Sequence, residues 1–448
     1  MRKNKMATMP IPKLILSMSL PAILSMMVQA LYNIVDSIFV SRISEQALTA
    51  VSLAFPIQMI LISCFVGLGI GINSSVSRSL GEGNREKATN IAEHGYLLGL
   101  FLYAIVTVMV FFIDDFFSLF TNDPLILKYS TDYIRIILLF SFGRILAQAG
   151  MSIMQGCGEM IKPMRGMLIG AISNIILDPI LIFGKLGFPA MGVTGAAIAT
   201  VTAQGLSMLY IFFTIFRGKE YLKLDLKRFK YSRHISKSII VVGLPAAIMQ
   251  SLVSVMLTGM NFILAGLSVT SIAVLGVYFR LQSFILMPVF GISQGTMPVI
   301  GFNFGAKNKK RIIEALKFSG LLAISYMMIG MVLFLLIPGP MLSIFNSTEE
   351  MREIGIVAFR RICLMFPFTA ITIILSTAYQ GMGKSHYSLM VTFFRQIMIL
   401  LPLAWFLGTY FGLDTLWFSF PIAEIMGLTL ALGFFKSTYY HAFAGWTE

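Results

Sequence analysis

The chain has 448 residues, of which 57% are hydrophobic and 12% charged, and a formal net charge of +14. Soluble globular chains run at about 45–50% apolar and about 25% charged, so this composition excludes a soluble enzyme, a disordered chain and a nucleic-acid-binding domain. A span needs about 20 apolar residues to cross a bilayer core, which leaves room for a large polytopic bundle and little for a separate soluble domain.

Arg2, Lys3 and Lys5 resemble the start of a signal peptide, but the apolar run from Leu14 to Val40 is too long for one, so it reads as the first membrane helix. Eleven further apolar segments follow, at roughly 47–72, 90–113, 131–155, 163–184, 192–216, 237–264, 271–299, 312–337, 355–380, 387–411 and 414–436. The expected fold is an all-α polytopic membrane protein with twelve spans. Pro21, Pro245, Pro288 and Pro367 fall inside spans, where a missing N–H frees a carbonyl and lets a helix bend. With the N-terminus in the cytoplasm, 24 of the 34 Lys and Arg fall on the inside and 7 on the outside. That asymmetry predicts an even span count, both termini cytoplasmic, and residence in the cell membrane.

The chain repeats itself. At a constant offset of 224 residues, Leu20-Pro21-Ala22 matches Leu244-Pro245-Ala246, and Phe55, Gln58, Gly67, Gly71, Gly81 and Asn84 match Phe279, Gln282, Gly291, Gly295, Gly305 and Asn308. At 225, Arg135 matches Arg360 and Gln155-Gly156-Cys157-Gly158 matches Gln380-Gly381-Met382-Gly383. Matches among Pro, Gly, Gln and Asn carry weight because these residues set backbone geometry and loop chemistry. The repeat predicts two six-helix lobes in parallel orientation, 1–216 and 238–448, joined by a basic cytoplasmic linker at 217–237. The basic Gly-containing segments Ser79–Arg85 and Asn303–Lys309 lack a phosphate-loop pattern and read as tight turns. Cys64, Cys157 and Cys363 have no metal-ligand spacing and imply no disulfide framework.

Ionisable residues inside spans are expensive and point to function. Here they are Asp36, Arg144, Asp178, Arg280, Arg395 and Glu424. Asp36 and Asp178 fall at similar depth in the outer half of the N-terminal lobe, with Tyr32 and Asn174 each four residues earlier on the same helix face. With Thr200 they form one candidate cluster. Two adjacent buried carboxylates suit a proton or cation switch, since either charge relieves their repulsion. The competing reading makes Asp36 a helix cap or the partner of an arginine. Arg280, Arg395 and Glu424 fall at mid-depth in the C-terminal lobe. They form either an internally neutralised network or a cavity site to which Glu424 contributes. Arg144 either pairs with an N-lobe aspartate or reaches the cavity. The many Met and Phe side chains suit both lipid contact and a broad apolar pocket.

With Leu20-Pro21 followed by Asp36, the run Asn174-Ile-Ile-Leu-Asp178-Pro179, the run Gly195-Ala-Ala-Ile-Ala-Thr200 and the second Gln-Gly-x-Gly at Gln380, the chain resembles the bacterial multidrug and toxic compound extrusion (MATE) family along nearly its whole length. The resemblance implies two six-helix lobes around a V-shaped cavity and export of organic cations in exchange for H⁺ or Na⁺. It implies a coupling ion at Asp36, Asn174, Asp178 and Thr200, with Tyr32 nearby and Pro21 as a helix hinge. Some members use acids of spans 7 and 10 instead, and those spans carry none in their interiors here. The expectation is therefore a monomeric secondary antiporter without a cofactor, working in the bilayer on small organic cations and binding no nucleic acid. A flippase or exporter for lipid-linked or polyanionic substrates needs a cavity dominated by arginine. A membrane-embedded enzyme is disfavoured by four scattered histidines, His94, His234, His386 and His441, and a passive channel by the lobe repeat.

Overall fold

The computed structural model describes residues 4–217, 222, 224, 229–345, 347–443 and 446. Arg2, Lys3 and the linker residues Lys219, Lys223, Lys227 and Arg228 lie outside the described residues. Among the described residues the regular structure is all helical.

Among the described residues eleven helices are long and apolar enough to cross a membrane, or twelve with a bent pair taken as one span. In chain order they are α1 (Ile11–Ser41), α2 (Glu45–Gly81), α3 (Arg85–Ser118), α4 (Pro124–Leu139 with Phe142–Gly156, bent by 46°), α5 (Ile161–Phe183), α6 (Gly192–Arg217), α7 (Arg233–Ala265), α8 (Val269–Gly305), α9 (Lys309–Leu336), α10 (Glu349–Gly381), α11 (Ser385–Phe411) and α12 (Leu413–His441). The all-α polytopic expectation is met. Pro21, Pro245 and Pro288 lie inside continuous helices, whereas Pro367 opens a new helical stretch after a 3-10 turn at Cys363–Met365.

The helix ends follow from their sequence. Ser44 Oγ accepts the Ala47 N–H at 3.0 Å, and Asp123 Oδ1 accepts those of Leu125 and Ile126, which satisfies donors that have no partner in a first turn. The two basic turns are built alike. Asn84 Oδ1 accepts the Lys87 N–H at 2.9 Å, and Asn308 Oδ1 accepts the Arg311 N–H at 3.1 Å. One residue earlier, Gly83 and Lys307 both take a left-handed backbone, with φ of 78° and 55°. The same holds for Gly158 and Gly383, φ 86° and 79°, after the two Gln-Gly-x-Gly helix ends. Repeated residues thus mark repeated backbone geometry.

Packing divides the chain into two compact units, Leu24–Ala247 and Met1–Ile23 with Ile248–Glu448. The chain passes from one unit to the other inside α1 and inside α7, in each case two residues after the recurring proline of the repeat, Pro21 or Pro245. The first unit centres on Phe117, Tyr133, Ile134 and Ile145, and the second on Tyr278, Phe334, Phe359, Phe366 and Trp417. Large apolar side chains such as Phe111 and Phe262 are about four-fifths exposed, at 80% and 83%, as an apolar surrounding medium requires.

Candidate functional site

The polar cluster lies wholly within the unit Leu24–Ala247. Its geometry begins with helix packing. A Cβ at Gly195 would stand 2.5 Å from the Leu181 carbonyl oxygen, so only glycine lets α6 lie directly on the backbone of α5. Ser207, further along α6, donates to the Gly166 carbonyl of α5 at 2.8 Å. Clamped at both points, α6 presents Thr200 to Asn174. The Asn174 amide bridges Asp178 and Thr200. In one orientation its Nδ2 lies 3.4 Å from Asp178 Oδ1 and 3.3 Å from Thr200 Oγ1. Turned over, it donates to Asp178 Oδ2 at 3.1 Å and accepts the Thr200 backbone N–H at 3.3 Å. The second orientation pairs donors with acceptors at both ends.

Asp178 is fully buried, and Asn174 and Thr200 are 2% and 7% exposed. Asp36, reaching in from α1, is close enough to Asp178 for their carboxyl groups to hydrogen bond when one carries a proton. Its Oδ1 is buried without a hydrogen-bond partner. A buried, unpaired carboxylate oxygen next to a second carboxyl group is stabilised by a proton or another positive charge. Tyr32, one helical turn before Asp36, is within electrostatic reach of Asp36, Asp178 and Arg144.

These side chains, Asp178 excepted, border a cavity of about 190 Å³. Its wall includes Tyr32, Asp36, Asn174 and Thr200, together with residues that the sequence did not single out for the site: Gln29, Asn33, Gln58, Tyr133 and Gln204. Gln58 Nε2 donates to the Tyr133 hydroxyl at 3.1 Å. Gln58 had a signal, since its repeat partner is Gln282, while Tyr133 had none. Arg144 also lines this cavity, and among the described residues it has no ion pair.

The remaining buried charges lie in the other unit. Arg395 Nη1 donates to both carboxylate oxygens of Glu424, at 2.8 and 2.6 Å, and the glutamate side chain is 5% exposed. Arg395 sits in a π-helical stretch, Phe394–Leu400, within α11. Its stem lies across α12 at Gly427, where a Cβ would come 2.9 Å from Arg395 Cδ. Arg280 is exposed and has no part in this pair. Among the described residues no group of three or more His, Cys, Asp and Glu side chains is arranged to hold a metal ion. Pro21 lies in α1 outside the cavity wall.

Two stretches of the chain, residues 21–180 and 245–406, match the MatE family. Their starts are 224 residues apart, the offset of the internal repeat. Over 445 residues the chain is 27% identical to a probable multidrug resistance protein NorM of Thermotoga maritima, covering 97% of this chain and 95% of that one. It is 28% identical over 435 residues to an FAD transporter of Shewanella oneidensis, covering 95% and 94%. A solved outward-facing multidrug resistance MATE transporter of the MOP superfamily superposes with a TM-score of 0.92 at 27% identity over 99% of both chains. The chain belongs to the MatE family and is a multi-pass membrane transporter of the drug-efflux type.

Proposed function

We propose that the protein is a secondary antiporter that exports organic cations in exchange for H⁺ or Na⁺, with Asp36 and Asp178 as the coupling site. The observation that carries this reading is the buried, unpartnered Oδ1 of Asp36 beside the buried Asp178, on the wall of a cavity. A proton on the pair supplies the charge that the two carboxyl groups need. A Na⁺ ion would do the same, held by oxygens of Asp36, Asp178, Thr200 and the Asn174 amide, all hard donors suited to it. A cationic substrate competes for the same negative charge, so filling by one favours loss of the other. Coupled to alternating access of the cavity, that competition is antiport.

The cavity's volume agrees with this division of labour. Drug-sized pockets run to about 300–1,000 Å³, and at 190 Å³ this one holds an ion with its waters or the charged end of a substrate. The polyanionic alternative calls for a cavity dominated by arginine. Of the three intramembrane arginines, Arg144 alone lines this cavity, Arg280 is exposed and Arg395 is neutralised by Glu424. The positive-residue asymmetry supports a plasma-membrane protein with both termini in the cytoplasm, and a monomer with no cofactor suffices for the mechanism.

Efflux of a fluorescent cation from energised vesicles, with ΔpH and ΔNa⁺ collapsed separately, tests the reading. Export should stop when one of the two gradients is removed. Export that persists with both collapsed rules out ion-coupled antiport.

A further inference from the structure

In the unit Met1–Ile23 with Ile248–Glu448, one end is knitted together by its own side chains. The Arg311 guanidinium donates to the Met6 and Met9 carbonyls at 3.0 and 2.7 Å and to Asn303 Oδ1 at 3.2 Å, which ties the segment before α1 to the turn between α8 and α9. Lys309 Nζ stands 4.5 Å from the ring centre of Tyr439, and Phe304 packs against Phe443 and Trp446, which ties the end of α12 to the same turn. Around this frame Lys13, Lys307, Lys310, Lys317 and Lys436 are exposed. The one acid on this end among the described residues is Glu314, within electrostatic reach of Arg311.

The corresponding end of the unit Leu24–Ala247 matches it in lysines and arginines but carries Glu82, Glu86, Glu93 and Glu159, and Lys87 is bonded to Glu82 at 2.9 Å. Topology does not call for this difference, because the positive-inside preference counts Lys and Arg and is nearly blind to acids. Three of the exposed lysines also share a helix face with an exposed leucine about one turn nearer the helix middle: Lys13 with Leu16, Lys317 with Leu321 and Lys436 with Leu432.

We infer that this end is a binding surface for anionic phospholipids, with the headgroup phosphate on the lysines and the acyl chain against the leucines. An ammonium group and an apolar side chain one turn apart match the two parts of a lipid, whereas a soluble phosphate ester offers only the first. Tyr440, exposed one turn beyond Lys436, and Trp446 add amphipathic rings of the kind that settle at headgroup level. The choice of leaflet rests on the proposed orientation, in which this end is cytoplasmic and meets the negative surface potential of that leaflet. Binding itself does not depend on that orientation.

The test titrates full-length protein in neutral detergent with fluorescent phosphatidylglycerol and with phosphatidylcholine carrying the same chains. The wild type should prefer phosphatidylglycerol, and the preference should shrink at high salt. Lys310→Gln with Lys317→Gln and Lys436→Gln should lower it about tenfold or more, each basic residue near an anionic surface being worth a few-fold. Glu314→Gln should raise it. Arg165→Gln with Lys230→Gln and Arg233→Gln removes as much charge from exposed positions of the other unit and should leave the preference in place. A wild type that binds the two lipids alike overturns the inference. So does an equal loss in the two triple variants at unchanged melting temperature, which would make the preference a property of net charge. Competition by glycerophosphoglycerol as strong as that of the whole lipid would make the ligand a soluble phosphate and overturn the lipid assignment. A cysteine replacing Lys436 that an impermeant reagent reaches only from outside the cell overturns the orientation, and with it the leaflet, without touching the lipid titration.

Discussion

A Cβ added to Gly291 would stand 2.5 Å from Ile23 Cγ1 and 2.7 Å from Ile23 Cα. The repeat offset carries this pair onto Gly67 and Ala247, where a Cβ at Gly67 would stand 2.6 Å from Ala247 Cβ. In each compact unit the second span of one repeat therefore lies against the start of the first span of the other, backbone to backbone. The glycines at 67 and 291 recur in the sequence because each is the floor of such a crossing. Gly71 and Gly295 extend the same contact by one turn, against Ile239 and Ser19.

The crossing makes opposite outcomes for one substitution at two places in α8. Gly291→Ala should lower the melting temperature, by an amount corresponding to about 1–3 kcal/mol of overpacking. Ile23→Ala should not rescue it, since the backbone atoms of Ile23 stay in place. Gly276, with nothing within 4 Å of its added Cβ, should accept alanine with a gain of about 0.5–1 kcal/mol from helix propensity. Thermal unfolding in detergent decides the matter, and equal shifts at the two glycines would remove the close crossing as their cause.

At the coupling site, Asp36→Asn and Asp178→Asn should each abolish gradient-driven export while leaving expression intact, because an amide cannot exchange a proton or balance a cation. The two carboxyl groups are within hydrogen-bonding reach, so the double variant should be no worse than either single one. Vesicle efflux reads this out. Export at the wild-type rate by Asp36→Asn, in the presence of a collapsible gradient, would assign coupling to another site.

Much of this was legible in the sequence, for identifiable reasons. Asp36, Asn174, Asp178 and Thr200 stand out because polar residues are costly in apolar spans, and helical spacing places Asn174 beside Asp178. The repeat is visible because Gly, Pro and Asn record backbone geometry. Counting along a helix gives depth and not direction, however, which is why Arg280, expected beside Glu424, is exposed and leaves Glu424 to Arg395. Tyr133 is one aromatic among many until Gln58 is seen to bond to it. The break of α4 at 140–141 carries no proline to announce it, whereas the π-helical stretch at Phe394–Leu400 runs up to Pro402, whose missing N–H leaves the Met398 carbonyl without its helical partner. The first of these segments is followed within its first turn by Arg144, and the second contains Arg395.

Pro21 lies in α1 two residues before the chain leaves its first compact unit. It donates no N–H to the helix and so leaves a carbonyl one turn earlier free to change partner. Pro21→Ala should therefore slow turnover more than it weakens substrate binding. Transport rates in proteoliposomes set against equilibrium binding separate the two. A parallel loss of both would make Pro21 a static support of the site.

Glu424 should matter for folding more than for ion coupling. Both its carboxylate oxygens accept from Arg395 Nη1, it is almost wholly buried, and the arginine is held over Gly427 by the packing of α11 on α12. Such a pair is not itself a large source of stability, because desolvation offsets its attraction. Removing one member strands the other charge at a cost of about 3–5 kcal/mol. Glu424→Gln should accordingly lower the melting temperature in detergent, and so should Arg395→Met. The double variant Glu424→Gln with Arg395→Met leaves no stranded charge and should recover part of the loss. Gly427→Ala should act in the same direction as the single variants, since its methyl group would displace the arginine stem. If Glu424→Gln melts like the wild type yet no longer exports cations, the glutamate binds substrate or ion, and the aspartate pair is not the only place where charge is exchanged.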